Sequence, residues 1–129
     1  MTIGFATTAV NSMLNGFRNV VWQNAATWVQ VHTGDPGDDG TSNVCTQGGQ
    51  TRSQATFAAA AGGSISLTGT NPHWDFTGTE TLTHVSVWTA STAGSVLWSA
   101  QLGTAKTVGN GDTYTLTACG IALGPLMAD

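Results

Sequence analysis

The chain has 129 residues, enough for one domain, with net charge −4 and a charged fraction of only 8%, against about 25% in a typical soluble domain. Lys and Arg number 3 (Arg18, Arg52, Lys106), so no basic stripe exists to neutralise phosphates, and nucleic-acid binding by counterion release is excluded. Five Trp among many Thr, Ala, Gly and Val argue against disorder, and no apolar run approaches the roughly 20 residues that cross a bilayer.

The N-terminus "MTIGFATTAVNSML" has no basic n-region and no continuous apolar stretch, so no signal peptide is expected. Residues 7–18 then read as a short amphipathic helix. Val10, Met13, Leu14 and Phe17 fall on one helical face. Thr7 or Thr8 is the expected cap, and Gly16 is the weak point.

From residue 27 to 126 the period changes to two, and the body reads as β-rich. "TWVQVH" (Thr27–His32) alternates, with Trp28 and Gln30 on one face and Val29 and Val31 on the other. "SQATFAAA" and "GSISLTG" follow. Two runs, Leu82–Thr89 and Ser95–Leu102, flank "ASTAG", a hairpin signature with Gly94 free to take φ > 0. "GNGD" is a further turn, before "TYTLTACGIALG". Short strands, frequent turns and one leading helix predict a mainly β domain, an antiparallel β-sandwich of jelly-roll-like character, without internal repeat or linker.

The stretch "HTGDPGDDGTSNVC" (His32–Cys45) holds most of the polar chemistry. His32, Gly34, Asp35, Pro36 and Gly37 have the residue types of a tight turn. Asp bonds backbone amides, Pro fixes φ, and Gly supplies φ > 0. Calcium loops place carboxylates at alternating positions. Asp35, Asp38 and Asp39 are spaced three and one apart, which fits a turn better than a weak Ca²⁺ site. His32, His73 and His84 match no zinc spacing, so no metal and no cofactor is expected. His32, at the end of a strand, is expected to cap backbone groups.

Nothing pairs a nucleophile with a base at a recognisable spacing, and no GxSxG is present. Glu80 and Asp75, on either side of "FTGT", offer only a thin glycosidase reading, so no enzyme and no catalytic residue is expected. Cys45 and Cys119 form no metal or CxxC spacing. They read as a loop thiol and a buried thiol, with a bridge between them as the alternative. Trp88 and Trp98 are expected in a core or interface, at positions able to pair across the hairpin. Trp74, after Pro72 in "NPHWDF", is the expected exposed ring and the candidate partner contact, together with the helix face Val10, Met13, Leu14 and Phe17.

The order of these segments resembles a known family. "HTGDPG" (32–37), "TRSQATF" (51–57), "LTHVSVWTASTAGSVLW" (82–98), "GDTYTL" (111–116) and a terminal "GPL" are similar to small virion proteins of tailed phages, found in phages of actinobacteria and in prophages. Such proteins are labelled tail-fibre or minor tail proteins. The likeness runs from about Val10 to Leu126. It implies a non-enzymatic structural role in the phage particle, made in the host cytoplasm and bound to other virion proteins of the tail or the capsid. A head-decoration role is the alternative within the virion, and a host-glycan-binding module carried by Trp74 is the alternative of another class. The low charge suits a surface partly covered by identical neighbours, so a homo-oligomer is expected.

Overall fold

A computed structural model describes residues 4–123; positions 124–126, the end of the expected β-rich body, lie outside them. The elements in chain order are β1 (Gly4–Phe5), α1 (Thr7–Asn15), a 3₁₀ turn (Gly16–Arg18), β2 (Thr27–His32), β3 (Ser53–Phe57), β4 (Ser64–Thr68), β5 (His73–Asp75), β6 (Glu80–Trp88), β7 (Val96–Val108), β8 (Thr113–Thr115) and β9 (Gly120–Ala122). Seven strands form one antiparallel sheet in the order β1-β7-β6-β2-β3-β4-β9, and β5 pairs with β8 in a second sheet. The fold is mainly β, curled and sandwich-like, as the alternating pattern requires.

The helix covers the expected residues, but its α-helical part stops at Asn15 and Gly16 opens the 3₁₀ turn. The expected threonine cap is not made. Ala6 holds the N-cap position and no side chain bonds there. Strand β1 explains why: Phe5 pairs with Trp98 of β7, and Ala6 N–H donates to Leu97 O at 2.8 Å, so the sheet sets where the helix begins.

Central strands β2 and β6 are buried on both faces near their junction. Val29 opposes Val87, and Val31 opposes Val85. These valines face the main core, where the small sheet supplies Trp74, Phe76 and Leu116 and the helix supplies Ala9. On the other face Gln30, His32, Ser86 and Trp88 are also buried. A strand buried on both sides needs a second cover, and the 33–45 loop provides it. Trp98 stands opposite Val87 and packs against Phe5 and Phe57, with ring centroids at 6.4 and 5.8 Å. Trp88 stands opposite Trp28 on one side and Val96 on the other. Both rings are buried as expected, but they do not pair with each other. Adjacent residues Val87 and Trp88 point to opposite faces, and so do their partners.

Candidate functional site

The His32–Cys45 loop is built from turn chemistry. Asp35 Oδ1 accepts from Gly37 N–H at 2.9 Å, and Gly37 sits at φ 77. Asp39 Oδ1 accepts from both the N–H and the hydroxyl of Thr41, at 3.0 and 2.7 Å. Those hydrogen bonds hold the Asp39 carboxyl below its usual pKa. Pro36 O accepts from Ser42 N–H, and Asn43 Nδ2 donates to Asp35 O. No cluster of three His, Cys, Asp or Glu side chains able to hold a metal occurs among the described residues.

What the loop covers is His32, which is fully buried. Its Nδ1 lies 2.8 Å from Ser42 O and its Nε2 lies 2.7 Å from Ser86 Oγ. A carbonyl only accepts, so Nδ1 carries the proton and Nε2 accepts from the Ser86 hydroxyl. Ser86 Oγ in turn accepts from Trp88 Nε1–H at 2.7 Å. The chain of donors therefore runs Trp88 to Ser86 to His32 to the loop carbonyl. Burial, with His84 and Arg52 nearby, holds the His32 pKa below the usual 6.5. The expected backbone cap is made through Ser42.

The contact between Ser86 and His32 has the geometry of a nucleophile and its base. Sequence spacing gave no sign of it, because residues 32 and 86 meet only through the pairing of β2 with β6. Both side chains are sealed from solvent, and the serine oxygen is already bonded to Trp88. The pair acts as a brace between strand, neighbour strand and loop.

Arg52 completes the cover. Its guanidinium lies 3.7 Å from the Trp88 ring centroid and donates to Ala90 O and Ala93 O at 2.8 and 2.7 Å. Those carbonyls belong to the "ASTAG" turn, in which Gly94 takes φ 71. Glu80 has a similar structural role. Its carboxylate accepts from Thr46 and Gln47 N–H at 2.9 to 3.1 Å, while Asp75 accepts from Thr113 Oγ1. The cysteines are unbridged, with Cys45 the buried one although it lies in the loop, and Cys119 partly buried. Burial and the adjacent Glu80 carboxylate push the Cys45 thiol up to about 12; burial pushes Cys119 up to about 11.

Trp74 corrects the sequence reading. It is only 3% exposed, its Nε1–H donates to Thr51 O at 2.9 Å, and its ring stacks on Tyr114 at 6.2 Å. Pro72 suggested a surface loop, but Trp74 lies on β5, and the pairing of β5 with β8 turns its ring into the core. It offers no open face on which a sugar could stack. The helix face divides. Val10 and Met13 are half-buried, whereas Leu14 is 57% and Phe17 89% exposed.

A protein-family model described as Podophage GP4 fiber I protein gp80 matches residues 4–124. The chain belongs to this phage fibre family. Comparison with curated proteins returned no match. A phage fibre-type protein is a virion component that associates with other virion components, and its sequence resemblance to tail-fibre proteins is upheld at that level. No helix among the described residues is long and apolar enough to cross a membrane.

Proposed function

We propose that this protein is a non-enzymatic structural subunit of the phage tail, of the tail-fibre or minor-tail type, held in the particle by contacts with other virion proteins. The family match over residues 4–124 carries this reading. The use of the polar side chains supports the structural part. Asp35, Asp39, Glu80 and Arg52 all bond to this chain's own backbone, so the groups that sequence reading singled out are spent on holding loops.

Quantitative mass spectrometry of purified virions, scaled against the major capsid protein, tests the proposal. A few copies per particle, lost together with the tail on head–tail separation, is the expected result. A copy number matching the capsid subunit, retained on isolated heads, would replace it with head decoration. Turnover of purified host cell wall by the protein alone would overturn the non-enzymatic part.

A further inference from the structure

The chain turns sharply where α1 and its 3₁₀ turn end. Asn19 takes φ 64, the left-handed conformation. Its N–H donates to Gly16 O at 3.2 Å, and Val20 N–H donates to Asn15 O at 3.3 Å. This pair of bonds is the Schellman closure of a helix C-terminus. In that closure the residue after the left-handed one commonly packs against an apolar residue of the last helical turn, and here those positions hold Val20 and Leu14. The corner is therefore fixed by its own hydrogen bonds.

What this corner presents is apolar. Leu14, Phe17, Val20, Val21 and Trp22 are five of the six exposed large hydrophobic side chains among the described residues, and they fall within nine consecutive positions. Phe17 is 89% and Val21 85% exposed. Apolar side chains scattered singly over a surface need no explanation; five on one corner do. Together they expose on the order of 500 Å², as much as the largest patch on an ordinary monomer and a large share of the roughly 800 Å² that each partner gives to a stable interface. Arg18 is the one charge in residues 14–22. It is exposed, and its guanidinium donates to Asn15 Oδ1 at 3.3 Å.

We propose that residues 14–22 are the plug that holds this protein in the particle, seated in an apolar groove of a different virion protein that carries a carboxylate at its rim for Arg18. This rests on the reading of the protein as a virion component, and it adds the surface and the kind of partner. A corner already fixed by backbone bonds adds little ordering cost on binding. Arg18, in the middle of the apolar run, presents a planar fork that suits a carboxylate. The chain's own acids do not supply one in this run, and Asp35, Asp39, Asp75, Glu80 and Asp112 are each bonded to loops or strands of this chain. A different protein is thus the better match than a second copy.

Incorporation into virions and photo-cross-linking test it. Virions are grown with the native protein, with Phe17→Asp, Val21→Asp or Arg18→Glu, and with benzoylphenylalanine in place of Phe17 or, as a control on another surface, of the exposed Thr104 of β7. Copy number is read by mass spectrometry against the major capsid protein. Both aspartate variants should fall about tenfold or more, the loss expected of an interface anchor. Their urea midpoints should match that of the native protein, because neither side chain lies in the core. Arg18→Glu should lower the copy number severalfold, since it sets two carboxylates against each other. Position 17 should cross-link to one other virion protein, and position 104 should not reach that protein. Native copy number in both aspartate variants overturns the proposal. So does a cross-link from position 17 to a second copy of this chain alone, or to no virion protein. Full incorporation of Arg18→Glu overturns the carboxylate at the rim. A native protein missing from purified particles overturns instead the reading on which the proposal rests.

Discussion

Residues that looked like ligands prove to be fasteners. His32 is buried neutral, and its pKa lies below the usual 6.5 because burial penalises the charged ring. The unfolded chain takes up a proton near pH 6.5 that the folded chain refuses, so the unfolded state binds more protons there. Stability from this group is complete above that pH and declines as pH falls through 6.5 toward the folded value. Urea melts between pH 8 and 5 should show the midpoint dropping in that window, and a His32→Gln variant should be weaker overall but flatter across it. Gly37 is a second fastener. At φ 77, with the place of a Cβ 3.3 Å from Ser42 Oγ, it is open to glycine and costly for a β-branched residue. Gly37→Val should cost about 2 kcal/mol or more in thermal unfolding.

Elements are held by neighbours more than by their own propensity. α1 has nine residues, no side-chain cap and no acidic first turn, too little for an isolated helix. It persists because β1 anchors its start on β7 and Ala9 sits in the core. Gly16 has ordinary helical φ and open space around its missing Cβ. Gly16→Ala should therefore stabilise the protein by up to about 1 kcal/mol, read from the urea midpoint. The β6–β7 hairpin depends on a distant residue, Arg52, which stacks on Trp88 and binds two turn carbonyls. Arg52→Ala should cost on the order of 2 kcal/mol, and Arg52→Lys should recover only part of it, since both carbonyls accept from one nitrogen that an ammonium can replace, but an ammonium has no plane to lie flat on the Trp88 ring. Equilibrium unfolding of the three proteins checks both statements.

On the scale of the whole molecule, the two ends of the curled sheet differ in character. Glu80, Lys106 and Asp112 lie toward one end, where β6 begins and β7 finishes. At the other end, where β2 begins, Trp22, Phe57, Ile65 and Ile121 line an apolar hollow, and the Ala90–Gly94 turn held by Arg52 stands beside Trp88, the neighbour of Trp28. A homo-oligomer, expected from the low surface charge, should melt at a temperature that rises with protein concentration, because the assembled state is favoured by mass action. A tenfold concentration series by scanning calorimetry checks this.

Much of the fold was legible locally. The alternation of Thr27–His32, the "ASTAG" turn with Gly94 and the short helix starting at Thr7 follow from period, turn chemistry and propensity, all of which act over a few residues, although the pattern carried the helix to Arg18 and its α-helical part stops at Asn15. Asp35, Pro36 and Gly37 likewise declared a turn, because an Asx bond and a positive φ are local events. Strand β1 was hidden, since two residues carry no period, and β5 was hidden because three residues beside a proline read as a loop. What the sequence could not show was pairing over distance. Trp74 turned inward because β5 meets β8, His32 met Ser86 because β2 lies beside β6, and Arg52 reached a turn some 40 positions along the chain. The apolar hollow is of the same kind: Met13, Phe57 and Ile121 are far apart in sequence, and only the fold places them together. Composition and local pattern determined what the elements are; long-range burial and register decided which side chains became brace, core or surface.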